Sequence, residues 1–293
     1  MIKFLKYNEI DFQKWDQCLM KSNGNNIYAQ SWYLNIVCNK WNALVLDDYQ
    51  AVMPLFERVK WGMFYTVRQP LFSQQLGLFS QDNDCNVDDF ISSIPKKYLY
   101  INFNLNSQNS SSVFSFKQNI NHELFLDPDK NRIMESYSKS VKKNISKASN
   151  NSLSISLKPD SIVQFCDQKK TLGKSYMNDR LNDTQYKLIN YCLANQKGRI
   201  FSVQYQGVNC CSVFVTFFNN RLILHSSYCN DIGKKYGAFF FLLNHIFNSK
   251  EFNNLTFDFE GSNMQGIAKR NLGFGAKQIS YQSVSLSRIP FLK

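Results

Sequence analysis

Three consecutive strands joined by tight turns constrain this chain more than any other feature. Residues 198–230 contain "GRIFSVQYQG", "VNCCSVFVTFFNN" and "RLILHSSYCN", whose runs of apolar and β-branched residues predict strands. Gln206-Gly207 and Asn219-Asn220 separate these runs, and such pairs favour the left-handed backbone of hairpin turns. The second half of the chain is therefore expected to contain an antiparallel three-stranded meander.

Helices and further strands surround this meander in a regular order. Helical stretches at 160–177 and 183–196 precede it. A helix over "YGAFFFLLNHIFNSK", the strand "NLTFDFEG", a short helix and the final strand "KQISYQSVSL" follow it. The first third of the chain alternates short apolar runs with turns and reads as a shorter version of the same arrangement. We therefore predict a mixed α/β fold in which helices cover a sheet.

A helix start at Asp127-Pro128-Asp129 marks the predicted boundary between two domains, 1–127 and 128–293. The helix that begins there is expected to continue to Asn150-Asn151. Its apolar stripe has spacings of three and four residues and consists of Met134, Tyr137, Val141, Ile145 and Ala148. Before the boundary, the polar run "NSQNSSS" is expected to form a hairpin loop between two strands.

The charge of the chain indicates which kinds of partner it favours. The 34 basic against 22 acidic residues give a net charge of +12, which favours anionic partners such as a phosphorylated cofactor, tRNA or an acidic surface. A basic stripe on the predicted helix is either a solvated face or a contact for such phosphates; it consists of Lys139, Lys142, Lys143 and Lys147.

Eight scattered cysteines without a C-x-x-C spacing, together with three histidines, predict reduced thiols and no metal site. The sequence contains neither an apolar run of signal-peptide type at its start nor a window long enough for a membrane span. We therefore expect a cytoplasmic protein. The oligomeric state cannot be read from the residues.

Two segments resemble Fem-type aminoacyltransferases, which are tandem copies of the GCN5-related N-acetyltransferase (GNAT) fold. "YSKSVKKNISKASNNSLSIS" (137–156) is similar to the basic helix and strand of that family, and "LTFDFEGSNMQGIAKRNLGFGAKQI" (255–279) is similar to its late strand, asparagine-led helix and closing Gly-Phe. The resemblance implies two tandem GNAT-like domains, each a mostly antiparallel mixed sheet covered by helices. It also implies transfer of an acyl or aminoacyl group from acyl-CoA or aminoacyl-tRNA to a small-molecule or peptide amine.

The predicted donor-binding turn departs from the family pattern. GNAT enzymes usually carry Arg/Gln-x-x-Gly-x-Gly/Ala there, because backbone N–H groups at a glycine-rich helix start bind a pyrophosphate. No register of "NDIGKKYGAFF" reproduces that pattern, and the segment is either an anion site or an ordinary turn. The candidate donor-binding residues are Gly233, Lys234, Lys235, Tyr236, Gly237, Ala238 and Asn263. Lys269 occupies the position at which such enzymes often place a tyrosine acid, and with Arg270 it is otherwise a solvated basic face.

Two carboxylates are candidates for the base that deprotonates the acceptor amine. Side chains alternate along a strand, so Asp258 and Glu260 are expected to share one face of "NLTFDFEG". The structural alternative is that Asp258 bonds to nearby backbone, while Glu260 with Ser262 and Asn263 begins the next helix. His225, in the third strand of the meander, is either a third catalytic candidate or a buried core histidine.

These observations leave two functional hypotheses. The first is an N-acyltransferase that binds its donor where the central strands separate. The second is a non-catalytic tandem GNAT module with a degenerate donor site, which the altered phosphate turn and the missing tyrosine favour.

Overall fold

The computed structural model describes residues 1–289 apart from 39, 83, 115, 174–177 and 262. Over these ranges the strands, in chain order, are β1 (Ile2–Leu5), β2 (Asn42–Leu46), β3 (Ala51–Leu55), β4 (Glu57–Lys60), β5 (Phe64–Arg68), β6 (Phe79–Ser80), β7 (Tyr98–Asn104), β8 (Phe116–Phe125), β9 (Ser154–Ile155), β10 (Gly198–Tyr205), β11 (Val208–Phe218), β12 (Arg221–Cys229), β13 (Thr256–Asp258) and β14 (Lys277–Ser287).

The α-helices of the same ranges are α1 (Phe12–Lys21), α2 (Ser31–Cys38), α3 (Val87–Ser92), α4 (Lys130–Ser136), α5 (Lys139–Asn150), α6 (Ile162–Leu172), α7 (Asp179–Ala194), α8 (Asp231–Tyr236), α9 (Ala238–Asn248) and α10 (Gln265–Gly273). Helices therefore alternate with strands along the chain, and the predicted mixed α/β class is confirmed. Part of the helix predicted over 160–177 corresponds to α6, and residues 174–177 lie outside the described ranges.

Contacts divide the chain into two compact units. The first comprises Met1–Ile120 together with the chain from Ile279 onward, and the second comprises Asn121–Gln278. The sequence-based division near residue 128 differs from this mainly at the end of the chain, where β14 contributes to the first unit. Both dividing points fall inside strands, β8 and β14, and not in linkers.

The first unit contains two groups of strands. The antiparallel set β1-β2-β3-β6 includes the strand pair β2 and β3, which flanks Asp47-Asp48-Tyr49. In the other set, β7 pairs in parallel with β5 and antiparallel with β14. Strand β8 pairs with β13 instead. The segment 106–112 is therefore not a hairpin loop, because β7 and β8 are not partners.

The second unit has the strand order β8-β13-β12-β11-β10-β9. The predicted meander is confirmed: β10, β11 and β12 pair antiparallel in succession. Gln206, Gly207, Asn219 and Asn220 all have positive φ, as the hairpin prediction requires. Strands β12 and β13 pair in parallel, and the chain between them forms α8 and α9.

Aromatic residues form the centre of the second unit's core. Phe247 of α9 packs edge-on against Phe257, Phe259 and Phe274, with ring centroids 4.8 to 6.0 Å apart. All four side chains are buried. The Gly-Phe sequence that marks the end of α10 therefore has a packing reason, because Phe274 closes this cluster. Gly275 then turns the chain with a φ of +82°.

One helix predicted as continuous is interrupted. The helix expected from 127 to 150 breaks at Tyr137, which is extended, and restarts where Ser138 caps α5 by accepting from the Val141 N–H. The Ser138 N–H donates to the Gly273 carbonyl, a partner distant in sequence. The helix expected over 236–250 is confirmed as α9, and Gly237, with a φ of +78°, separates it from α8.

Candidate functional site

The parallel strands β12 and β13 pair over only three residues and then separate. Arg221, Leu222 and Ile223 oppose Thr256, Phe257 and Asp258. Beyond this point the chain after β13 stays with β8, since the Phe259 N–H donates to the His122 carbonyl at 3.0 Å. Strand β12 continues along β11 as far as Cys229. A gap therefore opens within the second unit, between the end of β12 and the chain after Asp258.

A β-bulge lies at the start of this gap. Phe214 opposes Ser226 and Val215 opposes Leu224, so His225 is the extra residue on β12. The His225 side chain is 2% exposed, whereas the residue as a whole is half-buried, so its accessible part is main chain. Bulges re-aim backbone and side chains at strand ends. This one exposes β12 backbone where the parallel partner has left.

Glu260 lies on the opposite side of the gap in a left-handed conformation. Its φ is +43°, and Gly261 follows with +81°. Glu260 is therefore not a strand residue sharing a face with Asp258, and that expectation is wrong because β13 ends at Asp258. Its carboxylate approaches the His225 imidazole, with Oε2 3.5 Å from Nδ1. A non-glycine residue held at positive φ is locally strained, and such positions occur frequently at functional sites.

Asp258 has a different environment. Its Oδ1 accepts from the Asn121 side chain at 2.8 Å and from the Glu260 N–H at 2.9 Å, and its Oδ2 accepts from Arg221 at 3.2 Å. Arg221 also pairs with Glu123 on β8. The Asp258 side chain is 6% exposed. This arrangement agrees with the structural alternative for Asp258, because both of its oxygens are held by protein donors.

A cavity of about 410 Å³ lies at the open end of β12. Its volume is within the range of small-molecule sites, roughly 300–1,000 Å³. Three cationic side chains and an apolar wall are prominent in its lining, namely Lys169, Lys234, Arg270, Leu172, Phe239 and Phe240. Cations beside aromatic rings suit a ligand with a phosphate end and an apolar arm.

Lys169 connects the cavity to the Glu260 pair. Its Nζ donates to the Ser227 carbonyl at 2.7 Å, on the part of β12 that has separated from β13. Burial lowers the pKa of Lys169, and the carboxylate of Glu260 opposes this shift. A half-buried lysine side chain thus lies close to the candidate base and to the cavity at once.

Arg270 enters the cavity from α10. Its guanidinium stacks 4.3 Å from the Phe239 ring centroid and donates to the Asn271 side-chain oxygen. Burial lowers the pKa of Arg270 to about 10, so it remains cationic at neutral pH. The neighbouring Lys269, at the family's tyrosine position, is exposed. Of the basic pair in α10, Arg270 and not Lys269 lines the cavity.

The predicted donor turn divides into two groups. Gly233, Lys234 and Gly237 line the cavity. Both glycines also have packing reasons: a Cβ on Gly233 would lie 2.6 Å from the Cys210 carbonyl oxygen, and one on Gly237 would lie 2.7 Å from that of Asn144. These contacts account for the glycines without any ligand.

The other predicted donor-turn residues have different surroundings. Tyr236 stacks on Tyr205, Lys235 lies over the Tyr236 ring, and Ala238 belongs to the hydrophobic core. Asn263 is exposed and precedes α10, whose N-cap is Met264. The expected asparagine-led helix is therefore wrong by two residues. Ser262 lies outside the described residues.

Sequence analysis missed Lys169 and the polar network around Asp258, which consists of Asn121, Arg221 and Glu123. A signal for Lys169 was present, since it follows the buried Phe165 by four residues on α6 and so lies on the buried stripe. Asn121 and Glu123 gave no local signal, because β8 is remote in sequence from β13.

The described residues contain no group of three or more His, Cys, Asp or Glu side chains arranged to hold a metal ion. No helix in the described ranges has the length and apolar character needed to cross a membrane.

Comparison with known proteins reveals similarity of structure. No family model matches the chain, and no curated protein matches its sequence. Among solved structures, FemX has a TM-score of 0.65 at 9% identity over 96% of both chains. A protein of unknown function from Bacteroides thetaiotaomicron VPI-5482 has a TM-score of 0.61 at 13% identity, over 98% of this chain and 100% of that one.

A tandem GNAT protein from the clavulanic acid biosynthesis pathway has a TM-score of 0.53 at 9% identity over 99% of both chains. These alignments span the whole length of the chain, and the family resemblance inferred from the sequence is confirmed at the level of the fold. The chain has a tandem GNAT-like fold of the Fem type.

Proposed function

We propose that this protein is an N-acyltransferase, which moves an acyl or aminoacyl group from an activated carrier to an amine. One observation carries the proposal. The strands β12 and β13 separate beside a cavity lined by three cationic side chains, and Glu260 and His225 meet at the point of separation. The chemistry of this arrangement matches the needs of acyl transfer: charge for an anionic donor, exposed backbone for a carbonyl, and a carboxylate for a proton.

Acyl-CoA is the proposed donor, because its phosphates and its apolar arm fit the cavity residues. Lys234, Arg270 and the N-terminus of α9 would hold phosphate groups, and Phe239 with Phe240 would line the arm. When bound, acyl-CoA supplies an activated thioester. The two cavity glycines neither add to this argument nor oppose it, since packing accounts for them.

The bulge provides the polarising group for the donor carbonyl. Main chain at His225 is accessible where β13 no longer covers β12. Backbone N–H groups fixed in a strand stabilise charge that develops on a carbonyl oxygen without needing to reorganise. Lys169 fixes this segment by donating to the Ser227 carbonyl.

Glu260 is the proposed base. Its carboxylate would accept a proton from the acceptor ammonium, leaving the amine lone pair free to attack the donor carbonyl. His225, with Nδ1 3.5 Å from Glu260 Oε2, would orient that carboxylate. The Lys169 side chain lies close enough to Glu260 that the charge of this carboxylate opposes the lowering of the Lys169 pKa by burial. Asp258 is not assigned a chemical role, because its oxygens are held by Asn121, Arg221 and the Glu260 N–H.

Ligand-dependent thermal stability tests the donor. Acetyl-CoA, longer acyl-CoAs and desulfo-CoA should raise the melting temperature of the protein, since binding to the native state at 100 times Kd stabilises it by about 2.7 kcal/mol. Arg270→Met should reduce the shift, whereas Lys269→Met, which removes the exposed neighbour, should leave it unchanged. No shift with any CoA would exclude acyl-CoA and leave aminoacyl-tRNA, for which the exposed lysines of α5 are the candidate phosphate contact.

Amine acylation by the donor that binds tests the base. Glu260→Gln should keep the donor-induced shift and lower turnover by about 10²- to 10⁴-fold, the range for loss of a general base. Donor binding with unaltered turnover in this variant would remove Glu260 from the mechanism. Donor binding without transfer to any amine in the unmodified protein would favour a non-catalytic binding module.

A further inference from the structure

Two cysteines face each other across neighbouring strands at the cavity. Cys211 of β11 and Cys229 of β12 are directly opposed in the antiparallel register, and both are reduced. The next pair along the two strands, Cys210 and Asn230, is hydrogen-bonded, since the Asn230 N–H donates to the Cys210 carbonyl at 3.0 Å. Hydrogen-bonded and non-hydrogen-bonded pairs alternate along such a ladder, so Cys211 and Cys229 form a non-hydrogen-bonded pair.

This register brings the two thiols within reach of a bond. In non-hydrogen-bonded pairs the Cα atoms are about 4.5 Å apart and side chains are closest. Disulfides join Cα atoms roughly 4.4 to 6.8 Å apart. Cys211 and Cys229 can therefore form a disulfide with little movement of the backbone.

The two thiols differ in access. Cys211 is completely buried, whereas Cys229 is half-buried and lines the cavity. The Cys229 sulfur lies next to the donor turn, since a Cβ on Gly233 would be 2.7 Å from it. Lys234 lines the same cavity. A small reagent that enters the cavity reaches Cys229 and not Cys211.

The more accessible thiol, that of Cys229, is also the more acidic of the two. The hydrogen bond from the Cys211 thiol, a backbone hydrogen bond from Phe239 and the charge of Lys234 lower the pKa of Cys229, although burial opposes them. Burial and the hydrogen bond to Cys229 raise the pKa of Cys211. Reactive thiols are those with thiolate character and solvent access, and oxidation sensors have a second thiol beside them.

We propose that Cys229 is a site of oxidation by small hydroperoxides and that Cys211 is its resolving thiol. The Cys229 thiolate attacks the peroxide, the O–O bond breaks, and a sulfenic acid forms while the leaving oxygen takes a proton to become water or an alcohol. The Cys211 sulfur then attacks the Cys229 sulfur; the S–S bond forms, the S–O bond breaks, and the hydroxyl leaves as water with the proton of Cys211. Overall, two thiols are oxidised and one peroxide is reduced.

The disulfide would alter the cavity wall, because the Cys229 sulfur turns away from Gly233 and towards Cys211. Oxidation should therefore change the donor-induced thermal shift, an effect that rests on the proposed function. The oxidation itself does not, since it is read by mass alone. Failure of either experiment leaves the other result intact.

Mass spectrometry of the full-length protein tests the proposal. After treatment with hydrogen peroxide and alkylation in denaturant, trypsin cuts at Arg199, Arg221 and Lys234 and so separates the peptides of Cys211 and Cys229. We expect these peptides to be joined with the loss of two hydrogens. Cys210→Ser should keep the linkage, which assigns it to Cys211, and Cys229→Ser should abolish it.

Cys211→Ser provides the sharper test, because it removes only the resolving step. In this variant dimedone should label Cys229 as a sulfenic acid, and about tenfold faster than it labels Cys38, which is likewise half-buried. Labelling of Cys229 no faster than Cys38, or an unmodified pair after peroxide treatment of the native protein, would overturn the proposal.

Discussion

The strands β12 and β13 form two contrasting regions along their shared length. In the paired region, Arg221 to Ile223 against Thr256 to Asp258, backbone and side-chain polar groups are bonded within the protein. In the separated region, from Leu224 to Cys229, the strand carries a bulge and borders a cavity. The same two strands thus provide first a rigid support and then an accessible site.

The carboxylates Asp258 and Glu260 show what this difference means chemically. They are two residues apart, yet Asp258 has three protein donors, whereas Glu260 lies at positive φ beside His225 and Lys169. A carboxylate saturated by fixed donors stabilises the fold, while a strained one beside a cavity is available for chemistry. Proximity in sequence therefore says little about function here.

The largest loss in the free energy of unfolding is expected from Asp258→Asn, a substitution in the paired region. This change leaves Arg221 with one carboxylate partner and disturbs the bond from Asn121. Breaking a buried ion pair costs roughly 3–5 kcal/mol, and the partial exposure of Arg221 places this case near 3 kcal/mol. Urea unfolding measures the change.

Glu260→Gln is the matched control, an isosteric loss of charge two residues away. Its carboxylate contacts the His225 imidazole at 3.5 Å, a longer contact than those of Asp258, so we expect a change in the free energy of unfolding below about 1 kcal/mol. Equal destabilisation by both substitutions would show that the two carboxylates play the same structural part, and the contrast between the regions would be lost.

The meander of β10 to β12 was the easiest part of the second unit to predict from sequence. Alternating apolar residues and hairpin turns indicate β10 to β12 directly, because these contacts are local. The Gly-Phe turn and the strand before it were also recognisable. Both elements rest on patterns that extend over fewer than a dozen residues.

Distant partners determined what sequence analysis missed. The apolar stripe of α4 and α5 continues through Tyr137 and Val141, so periodicity alone predicts one helix; the break depends on Ser138 bonding to Gly273. Asp258 likewise looked available because its partner Asn121 is 137 residues away. Local propensity cannot report such contacts.

Gly237→Ala tests whether packing alone requires glycine on the cavity side. Its φ of +78° disfavours any side chain, and the new Cβ would approach the Asn144 carbonyl oxygen at 2.7 Å. We expect a loss of about 2–3 kcal/mol in the free energy of unfolding, from a left-handed residue plus overpacking.

Gly207→Ala is the control for Gly237. Its φ of +80° is nearly the same, but no atom lies within 4 Å of the new Cβ. We expect about 1 kcal/mol, from the backbone conformation alone. Equal losses at the two glycines would mean that the contact with Asn144 relaxes freely, and glycine at 237 would then need a reason other than packing.

Acid pH should lower the free energy of unfolding of the protein through His122 of β8. Burial lowers the pKa of His122, so the unfolded chain binds a proton at a higher pH than the folded protein does. Stability from this group is present above the unfolded pKa of about 6.5 and falls as the pH drops towards the lower folded value. Urea unfolding at pH 7.5 and 5.5 should show this decrease.

His122→Leu should reduce that pH dependence without abolishing it, because partial desolvation also lowers the pKa of His245 in α9, although this side chain is exposed. The double variant with His245→Gln should show the smallest decrease between the two pH values. If the stability of His122→Leu depended on pH as strongly as that of the unmodified protein, the assignment would be contradicted, because His122 would then contribute nothing to the pH dependence.

The smallest change in the free energy of unfolding is expected from Lys169→Met, whose side chain on α6 contacts the separated region at Ser227. This change removes a half-buried ammonium that donates to Ser227 and retains most of the side-chain volume. The lost hydrogen bond and the relieved burial of charge nearly offset each other, so the free energy of unfolding should change by less than about 1 kcal/mol in either direction. The donor-induced thermal shift should nevertheless fall, because Lys169 lines the cavity. Lys170→Met on the same helix, which removes an exposed ammonium paired with Asp179, should alter neither quantity. If Lys169→Met strongly destabilised the protein and left the donor-induced thermal shift unaltered, Lys169 would support the fold and not the donor site. The segment of β12 up to Ser227 would then belong with the structural, paired region.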